Sequence, residues 1–260
     1  MNRKQTLPGV HKLLLALIVV AFAYSARASA ATINVYAAAS LHESFVEIGE
    51  IYESQHPGQH VRFNFGGSSI LRIQIDEGAP VDVFASADDT QMNVLVKENR
   101  VNPVFVCAHN LPVGIASLEA RSVRSVKAMA NPGVKLAFAE PHVPIGAYET
   151  KIIARLNAVY GANYMADVLR NVVTRETDVR AVLTKVSLGE ADAGFVYQTD
   201  AAEVRGKVVV LPIPRKYNLV ASYPIASVKG SDNPGWANAF VALVRGPVGQ
   251  RVLRSHGFLK

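Results

Sequence analysis

The chain has 260 residues, of which 50% are hydrophobic and 18% are charged, a balance typical of a globular protein with a sizeable core. Its formal net charge is +6, but removing the four basic residues of the first 30 positions lowers this to +2. That small charge argues against a protein that binds nucleic acid through a basic surface. The single cysteine, Cys107, excludes an internal disulfide bond and a cysteine-based metal site, and its surroundings, VFVCA, predict a buried strand.

Residues 1–30 have the pattern of a secretory signal peptide. Basic residues precede the apolar run Leu13–Ala23, and small residues follow it up to Ala30. The apolar run is shorter than the roughly 20 residues that a membrane-spanning helix needs. We therefore predict export to the periplasm, with cleavage after Ala30 or alternatively after Ala28. Cys107 lies too far from this segment to be a lipid-attachment cysteine.

The mature chain opens with a predicted strand and a predicted helix, joined by the sequence AAASL. The strand is Ile33–Ala37, and Phe45, Ile48 and Tyr52 recur at helical spacing in the segment that follows. Ser40 stands where the strand ends and the helix starts. We therefore predict that Ser40 is the N-cap of this helix.

The stretch from Phe63 to Asp88 predicts a βαβ unit of a parallel sheet. A strand with alternating apolar residues leads into FGGSS, a short helix follows, and VDVFAS predicts the second strand. Gly66 and Gly67 allow a close approach of the backbone, and Ser68 is predicted at the helix N-cap. Because both serines follow strand ends, they either serve only as caps or also point their hydroxyls into a shared ligand crevice.

The second half of the chain repeats this design. KLAFA predicts a strand that runs into a helix starting near Pro144, whose missing N–H is not needed in a first helical turn. Asp178 is the predicted N-cap of another helix, and a strand ending at Tyr197 follows. Four helix N-termini, two from each half, predict a cage of N–H groups for a small oxyanion. Donors without a cation favour an anion that carries no proton.

The order of these elements predicts two domains with a cleft between them. Domain I comprises residues 31–112 and 222–260, and domain II comprises residues 113–221. We predict that the crossings Ala108–Ser117 and Asn218–Pro224 act as hinges, so that the two domains close around the ligand.

The ordered motifs AAASL, FGGSS, EGAPVDVFASAD, EPHVPIGAY, DVRAVLTKVSLGEADAGFVY and HGF resemble those of the periplasmic molybdate-binding proteins of ABC importers. The resemblance extends from Ile33 to Phe258. It implies an α/β, two-domain type II periplasmic binding protein fold, in which mixed sheets are flanked by helices and the ligand lies between the domains. It also implies a monomer without catalytic activity or cofactor, which binds molybdate or tungstate and delivers the ion to a membrane permease.

The same motifs imply five ligand-binding residues. Ser40 and Ser68 are expected to donate from their hydroxyl and backbone N–H groups, Ile145 and Val179 from their backbone N–H groups, and Tyr197 from its phenol. The metal would thus be held as its oxyanion, without direct ligands to a metal cation. Members of the family more often have a small residue where this chain has Ile145. Its side chain is therefore expected either to point away from the ligand or to narrow the cavity.

The same residues allow three other interpretations. The first alternative is a protein of the same fold that binds sulfate or another oxyanion. The sequence does not exclude it, because sulfate differs from molybdate mainly in size. A secreted serine hydrolase would use Ser40 or Ser68, but GGSSI lacks the last glycine of the G-x-S-x-G motif. A metal-cation site at His42 and His142 lacks cysteine ligands and a Glu-x-x-His pairing.

Overall fold

The computed structural model describes residues 31–260, so the predicted signal peptide lies outside the described residues. Strands and helices alternate along most of this part of the chain, and the strands form two five-stranded sheets. None of the helices in residues 31–260 combines the length and the apolar character needed to cross a membrane.

The first sheet contains both the start and the end of the described chain. Its strands are β1 (Ala31–Ala38), β2 (Gln59–Gly66), β3 (Val83–Ala85), β4 (Phe105–Asn110) and β10 (Ala221–Ser227). They lie in the spatial order β2-β1-β3-β10-β4. Strand β1 is parallel to both of its neighbours, whereas β10 is antiparallel to both of its own. The carboxyl ends of β1, β2 and β3 therefore meet at one edge of the sheet.

The second sheet has the same plan. Its strands are β5 (Pro112–Ser117), β6 (Leu136–Ala139), β7 (Val172–Glu176), β8 (Ala193–Tyr197) and β9 (Val208–Leu211). They lie in the order β7-β6-β8-β5-β9. Strand β6 is parallel to β7 and β8, and β5 is antiparallel to β8 and β9. Strands β1 and β6 thus hold equivalent positions in the two sheets.

Helices follow most of the parallel strands and cover the sheets. They are α1 (His42–Gln55), α2 (Ser68–Asp76), α3 (Asp89–Lys97), α4 (Pro144–Tyr160), α5 (Tyr164–Arg170), α6 (Val179–Ser187), α7 (Gln198–Glu203), α8 (Pro234–Arg245) and α9 (Pro247–Ser255). Helix α1 buries Phe45, Ile48 and Tyr52, the residues whose spacing predicts it. Two mixed sheets flanked by helices confirm the predicted fold class.

The starts of the helices differ in part from the prediction. Ser40 lies inside a short 3₁₀ turn, Ala39–Leu41, and its hydroxyl caps no helix. Ser68 is the first residue of α2, for which Gly67 is the N-cap. The predicted serine caps are therefore wrong, because both hydroxyls bond to partners elsewhere in the fold. Asp178 is the N-cap of α6, as predicted.

The chain passes from the first sheet to the second at Leu111, between β4 and β5, and returns before β10. Leu111 alone joins β4 to β5, and residues 212–220 join β9 to β10. The division into residues 31–112 and 222–260 against 113–221 stays a prediction, as does the hinge movement about these crossings. Cys107 lies buried in β4, as its surroundings predict.

Candidate functional site

A pocket lies where the carboxyl ends of parallel strands from the two sheets face each other. On the side of the first sheet it is lined by Ala38, Ala39, Ser40, Gly66, Gly67, Ser68 and Ala87, and on the side of the second sheet by Val143, Pro144, Ile145, Asp178, Val179 and Tyr197. All five residues singled out from the sequence are in this lining. Each of them ends a parallel strand or follows one closely, which explains why residues so distant in sequence come together.

The pocket is small. Its cavity volume is about 10 Å³, which corresponds to the room that one water-sized group needs. In this arrangement it has no space for a sugar or an amino acid. A single small ion is the class of ligand that fits its size.

The N-terminus of α6 offers one backbone N–H group to the pocket. First-turn N–H groups have no partner within their own helix. The carboxylate of Asp178 accepts from the N–H groups of Arg180 and Ala181, at 2.8 and 3.0 Å, and the N–H of Val182 bonds to the carbonyl of Asp178. The N–H of Val179 is therefore the first-turn donor that this cap leaves for a ligand.

Helix α4 begins beside it in the same manner. Its N-cap is Val143, and Pro144, its first residue, has no N–H. The N–H of Ala147 bonds to the carbonyl of Val143 at 2.9 Å, which leaves the N–H groups of Ile145 and Gly146 without a helical partner. Ile145 is fully buried and belongs to the main hydrophobic cluster, so its side chain packs with other buried residues.

The hydroxyl of Ser68 accepts a hydrogen bond from a backbone N–H group that lies just after β3. Its Oγ accepts from the N–H of Ala87 at 3.0 Å, and Ser68 is buried. A serine hydroxyl has one proton to donate. Because the contact with Ala87 uses the oxygen as acceptor, the proton of Ser68 stays available to a ligand in the pocket.

The hydroxyl of Ser40 lies 2.8 Å from the hydroxyl of Tyr223. Tyr223 is on β10 and fully buried. No local motif in the sequence marks Tyr223, because a tyrosine in a buried strand is usually a core residue. The separation of 183 positions means that only the folded chain shows the pair.

Tyr197 brings an unpartnered hydroxyl to the pocket. The residue is 1% exposed, and its Oη has no hydrogen-bond partner within the described part of the chain. Burial raises the pKa of Tyr197 well above its ordinary value, so the phenol is neutral and can donate. A buried polar group without a partner destabilises a fold. A ligand oxygen in the pocket would satisfy this one.

The lining of the pocket contains no lysine, arginine or histidine, so helix N-termini and hydroxyl dipoles are the groups there that can attract an anion. Arg180 lies just outside it. Its Nε is 2.8 Å from Oδ1 of the fully buried Asp200, which accepts from the N–H of Tyr197 at 3.0 Å. Burial raises the pKa of Asp200 to about 6, and pairing with Arg180 opposes this rise.

Two contacts beside the pocket join the sides of the two sheets. The guanidinium of Arg180, on α6, pairs with the carboxylate of Glu43, on α1. At Gly67 the backbones approach so closely that a Cβ atom there would clash with the carbonyl oxygen of Thr177. Gly67 thus meets the predicted need for close backbone approach.

Two of the alternatives can be compared with this geometry. Among the described residues, neither Ser40 nor Ser68 has a hydrogen bond to a histidine or a carboxylate, so the structure gives these serines no general base. In residues 31–260, no group of three histidine, cysteine or acidic side chains is placed to hold a metal ion. Burial raises the pKa of Cys107 to about 12, so the thiol is not a nucleophile at neutral pH.

Comparisons with known proteins give a consistent result. The family model for bacterial extracellular solute-binding proteins matches residues 33–259. The molybdate-binding protein ModA of Mycobacterium tuberculosis is 36% identical over 233 residues, which are 89% of this chain and 85% of that protein. Among solved structures, the periplasmic molybdate-binding protein of Azotobacter vinelandii has a TM-score of 0.75 at 21% identity, covering 88% of this chain and 99% of that one. The sulfate-binding protein SubI of Mycobacterium tuberculosis has a TM-score of 0.74 at 17% identity, covering 88% and 86%. The two structures show a shared fold.

Proposed function

The chain belongs to the bacterial extracellular solute-binding protein family, and on that premise we propose that it captures molybdate outside the cytoplasm and delivers it to the permease of an ABC importer. It is a transport protein and has no catalytic role. The ligand is proposed from the molybdate-binding relative, which covers most of both chains. Tungstate is proposed as a second ligand because it has the same charge and shape.

One observation carries this proposal: the proposed ligand-binding groups are all hydrogen-bond donors, and no cation stands among them. The oxygen of Ser68 accepts from the N–H of Ala87, and the hydroxyl of Ser40 lies 2.8 Å from that of Tyr223. The phenol of Tyr197 has no partner in the described structure. Helix N-termini add the N–H groups of Ile145 and Val179. Such a set suits a dianion whose oxygens each accept a hydrogen bond.

The same donor set discriminates between oxyanions by their protons. Phosphate carries a proton near neutral pH, and this proton would need an acceptor. In this pocket the proton of phosphate would face a hydrogen-bond donor. Both the proton and that donor would then lack an acceptor, which is unfavourable in a buried site. Molybdate, tungstate and sulfate carry no proton at neutral pH and avoid this cost.

Sulfate is the second candidate, and the small cavity volume of about 10 Å³ favours it as the smaller ion. Its charge and proton content are those of molybdate, so only the size of the pocket can separate the two. The small pocket therefore makes sulfate the necessary comparison in any binding experiment.

The proposed location of the protein in the cell rests on its family and on the sequence of residues 1–30. We propose that the signal peptide directs the chain to the periplasm and is removed there, and that the protein acts as a monomer. Because the donors come from the sides of both sheets, ligand binding would hold these sides together. The permease would then recognise the shape of the loaded form.

Thermal unfolding of residues 31–260 tests the proposal, with molybdate, tungstate, sulfate and phosphate supplied at equal concentration. A ligand at 1,000 times its dissociation constant stabilises the folded state by about 4 kcal/mol. We expect a large rise in Tm with molybdate and tungstate and none with phosphate. An equal rise with sulfate would make the protein a general carrier of unprotonated oxyanions. No rise with any of the four ions would overturn the proposed function.

A further inference from the structure

We infer that Tyr223 is a positioning residue, which holds the hydroxyl of Ser40 as a hydrogen-bond donor toward the pocket. This inference rests on the proposed function, because it concerns how the same pocket holds its anion. The hydroxyls of Tyr223 and Ser40 are 2.8 Å apart, and either atom of such a pair can be the donor. The surroundings of Tyr223 decide the direction.

The side-chain amide of Asn110, the last residue of β4, determines which hydroxyl donates in the contact between Tyr223 and Ser40. Its Oδ1 accepts from the N–H of Leu111 at 2.9 Å, which identifies the oxygen side of the amide. The Nδ2 group must then face the other way, where it lies 2.8 Å from Oγ1 of Thr199 and 3.4 Å from Oη of Tyr223. An amide nitrogen can only donate. The hydroxyl of Tyr223 therefore accepts from Asn110.

The proton of Tyr223 has one acceptor within reach. In the described structure, the partners of its hydroxyl are Asn110 and Ser40, and Asn110 presents a donor. Tyr223 must therefore donate to the oxygen of Ser40. In the opposite arrangement the proton of a fully buried tyrosine would have no acceptor, which is unfavourable. Because the oxygen of Ser40 accepts, its own proton is left for the anion.

Packing around the ring of Tyr223 holds its hydroxyl beside Ser40. Tyr223 packs edge-on against Tyr197, at 5.8 Å between ring centroids, and against Phe258, at 5.3 Å. Burial raises the pKa of Tyr223 well above its ordinary value, so the hydroxyl keeps its proton at neutral pH. A phenylalanine at this position would keep both ring contacts and remove only the hydroxyl. Tyr223→Phe is therefore a specific test.

The experiment is a double-mutant cycle on the mature protein, with the Kd for molybdate measured by calorimetry in wild type, Tyr223→Phe, Ser40→Ala and the double variant. We expect Tyr223→Phe to weaken binding about three- to tenfold, the effect of one neutral hydrogen bond. In the Ser40→Ala background, the same change should alter Kd by less than about twofold, because its target is gone. Tyr52→Phe is the control, since Tyr52 is also buried in the first half and its hydroxyl donates to the carbonyl of Trp236.

Stability of the ligand-free protein gives an independent readout. Ser40→Ala leaves the proton of Tyr223 without an acceptor, so this single variant should unfold at a lower Tm. Adding Tyr223→Phe removes the unpaired proton and should restore part of the lost Tm. If Tyr223→Phe does not fold, Asn110→Ala replaces it, with a smaller loss of affinity that again disappears in the Ser40→Ala background.

The outcomes separate this inference from the proposed function. An unchanged Kd in Tyr223→Phe, or an equal loss in both backgrounds, would overturn the positioning role while molybdate binding by the wild type stands. A wild-type protein that binds no molybdate would overturn the proposed function and the inference together. A loss of affinity confined to the background that contains Ser40 establishes the positioning role.

Discussion

Arg180 and Glu43 form an ion pair that joins the side of the second sheet to the side of the first. Nη1 of Arg180 lies 3.1 Å from Oε1 of Glu43, and a second contact makes the pair bidentate. Burial raises the pKa of Glu43, but the charge and hydrogen bonds of Arg180 outweigh this and lower it overall. Because Arg180 also pairs with Asp200, which holds the backbone of Tyr197, the ion pair is connected to the pocket.

Glu43→Gln removes the charge of this contact and leaves the pair between Arg180 and Asp200 intact. We expect molybdate to bind about two- to fivefold more weakly, the effect of one partly exposed ion pair. If the two sides close on the ligand as predicted, the loss should appear mainly as faster dissociation, because the pair would form only in the closed state. Stopped-flow measurement of ligand release tests this.

The control for that experiment is Lys185→Gln. Lys185, also on α6, pairs with Glu190 at 2.7 Å on the side of the second sheet. Losing this exposed pair should leave ligand release unchanged. Equal effects of Glu43→Gln and Lys185→Gln would mean that the contact between Arg180 and Glu43 has no role in holding the two sides together.

Gly67→Ala should block the approach of the two sides. The φ angle of Gly67 is −62°, which alanine adopts without strain, so only the clash with the carbonyl oxygen of Thr177 opposes the change. We expect molybdate affinity to fall more than about tenfold while the ligand-free protein keeps its free energy of unfolding within about 0.5 kcal/mol. Calorimetry and urea unfolding measure the two quantities.

Gly235→Ala is the matched control, because a Cβ at Gly235 meets no atom within 4 Å. It should leave molybdate affinity unchanged and raise the free energy of unfolding by no more than about 1 kcal/mol, because alanine reduces the conformational entropy of the unfolded chain. If Gly67→Ala instead destabilises the ligand-free protein strongly, the contact with Thr177 belongs to the permanent fold and does not report on ligand-linked closure.

Tyr197→Phe should separate ligand binding from stability. Its hydroxyl has no partner in the described structure, so removing it should leave the Tm of the ligand-free protein unchanged or slightly higher. Molybdate affinity should fall about five- to twentyfold, since the lost bond is to a charged ligand. Tyr164→Phe should lower the Tm and leave molybdate affinity unchanged, because the hydroxyl of Tyr164 donates to the carbonyl of Val126 at 2.6 Å. A Tm that falls in Tyr197→Phe with no change in Kd would make Tyr197 a core residue only.

Glu149 should make stability depend on pH. The residue is fully buried, and burial raises its pKa well above the ordinary value, although the N–H of Ala139 and the charge of Arg175 oppose this. The folded state therefore keeps a proton that the unfolded state loses above its pKa of about 4.3. The contribution of Glu149 is fully present below that pH, and the free energy of unfolding should fall as the pH rises above it.

Glu149→Gln cannot ionise, so its stability relative to wild type should increase as the pH rises above about 5, until the pH passes the raised pKa of Glu149 in the folded protein. Each unit of pKa shift corresponds to about 1.4 kcal/mol, and urea unfolding at several pH values measures the difference. Glu50→Gln, at an exposed position, is the control and should give a constant difference. A constant difference for Glu149→Gln too would mean that Glu149 is ionised in the folded protein.

Local patterns in the sequence predict the order of strands and helices well, because each unit has the apolar spacing of its type. Helix α1 and the cap at Asp178 are examples. The partners of Ser40 and Ser68 lie 183 and 19 positions away, and no local rule connects them. Both serines were therefore predicted as caps, which the folded structure contradicts.

Some of the residues in and beside the pocket can be predicted from the sequence, and others cannot. Ser40, Ser68 and the helix starts follow from the rule that parallel strands end at one edge of a sheet. Only the resemblance to a family points to Tyr197, and nothing in the sequence points to Tyr223, because both have the pattern of core tyrosines in buried strands. The roles proposed for them depend on an unpartnered hydroxyl at Tyr197 and on the contact between Tyr223 and Ser40, and residue spacing in the sequence indicates neither of these.

The lack of cationic side chains in the pocket lining has a consequence for what happens after the ion leaves. A cage built from arginine or lysine would, once emptied, hold like charges close together in a poorly solvated space. Here the vacated groups are neutral hydroxyls and amides, which one water molecule can satisfy in part. If the proposed site holds the ion, its release would leave no like charges close together, and the protein could capture another ion without taking up or expelling a counter-ion.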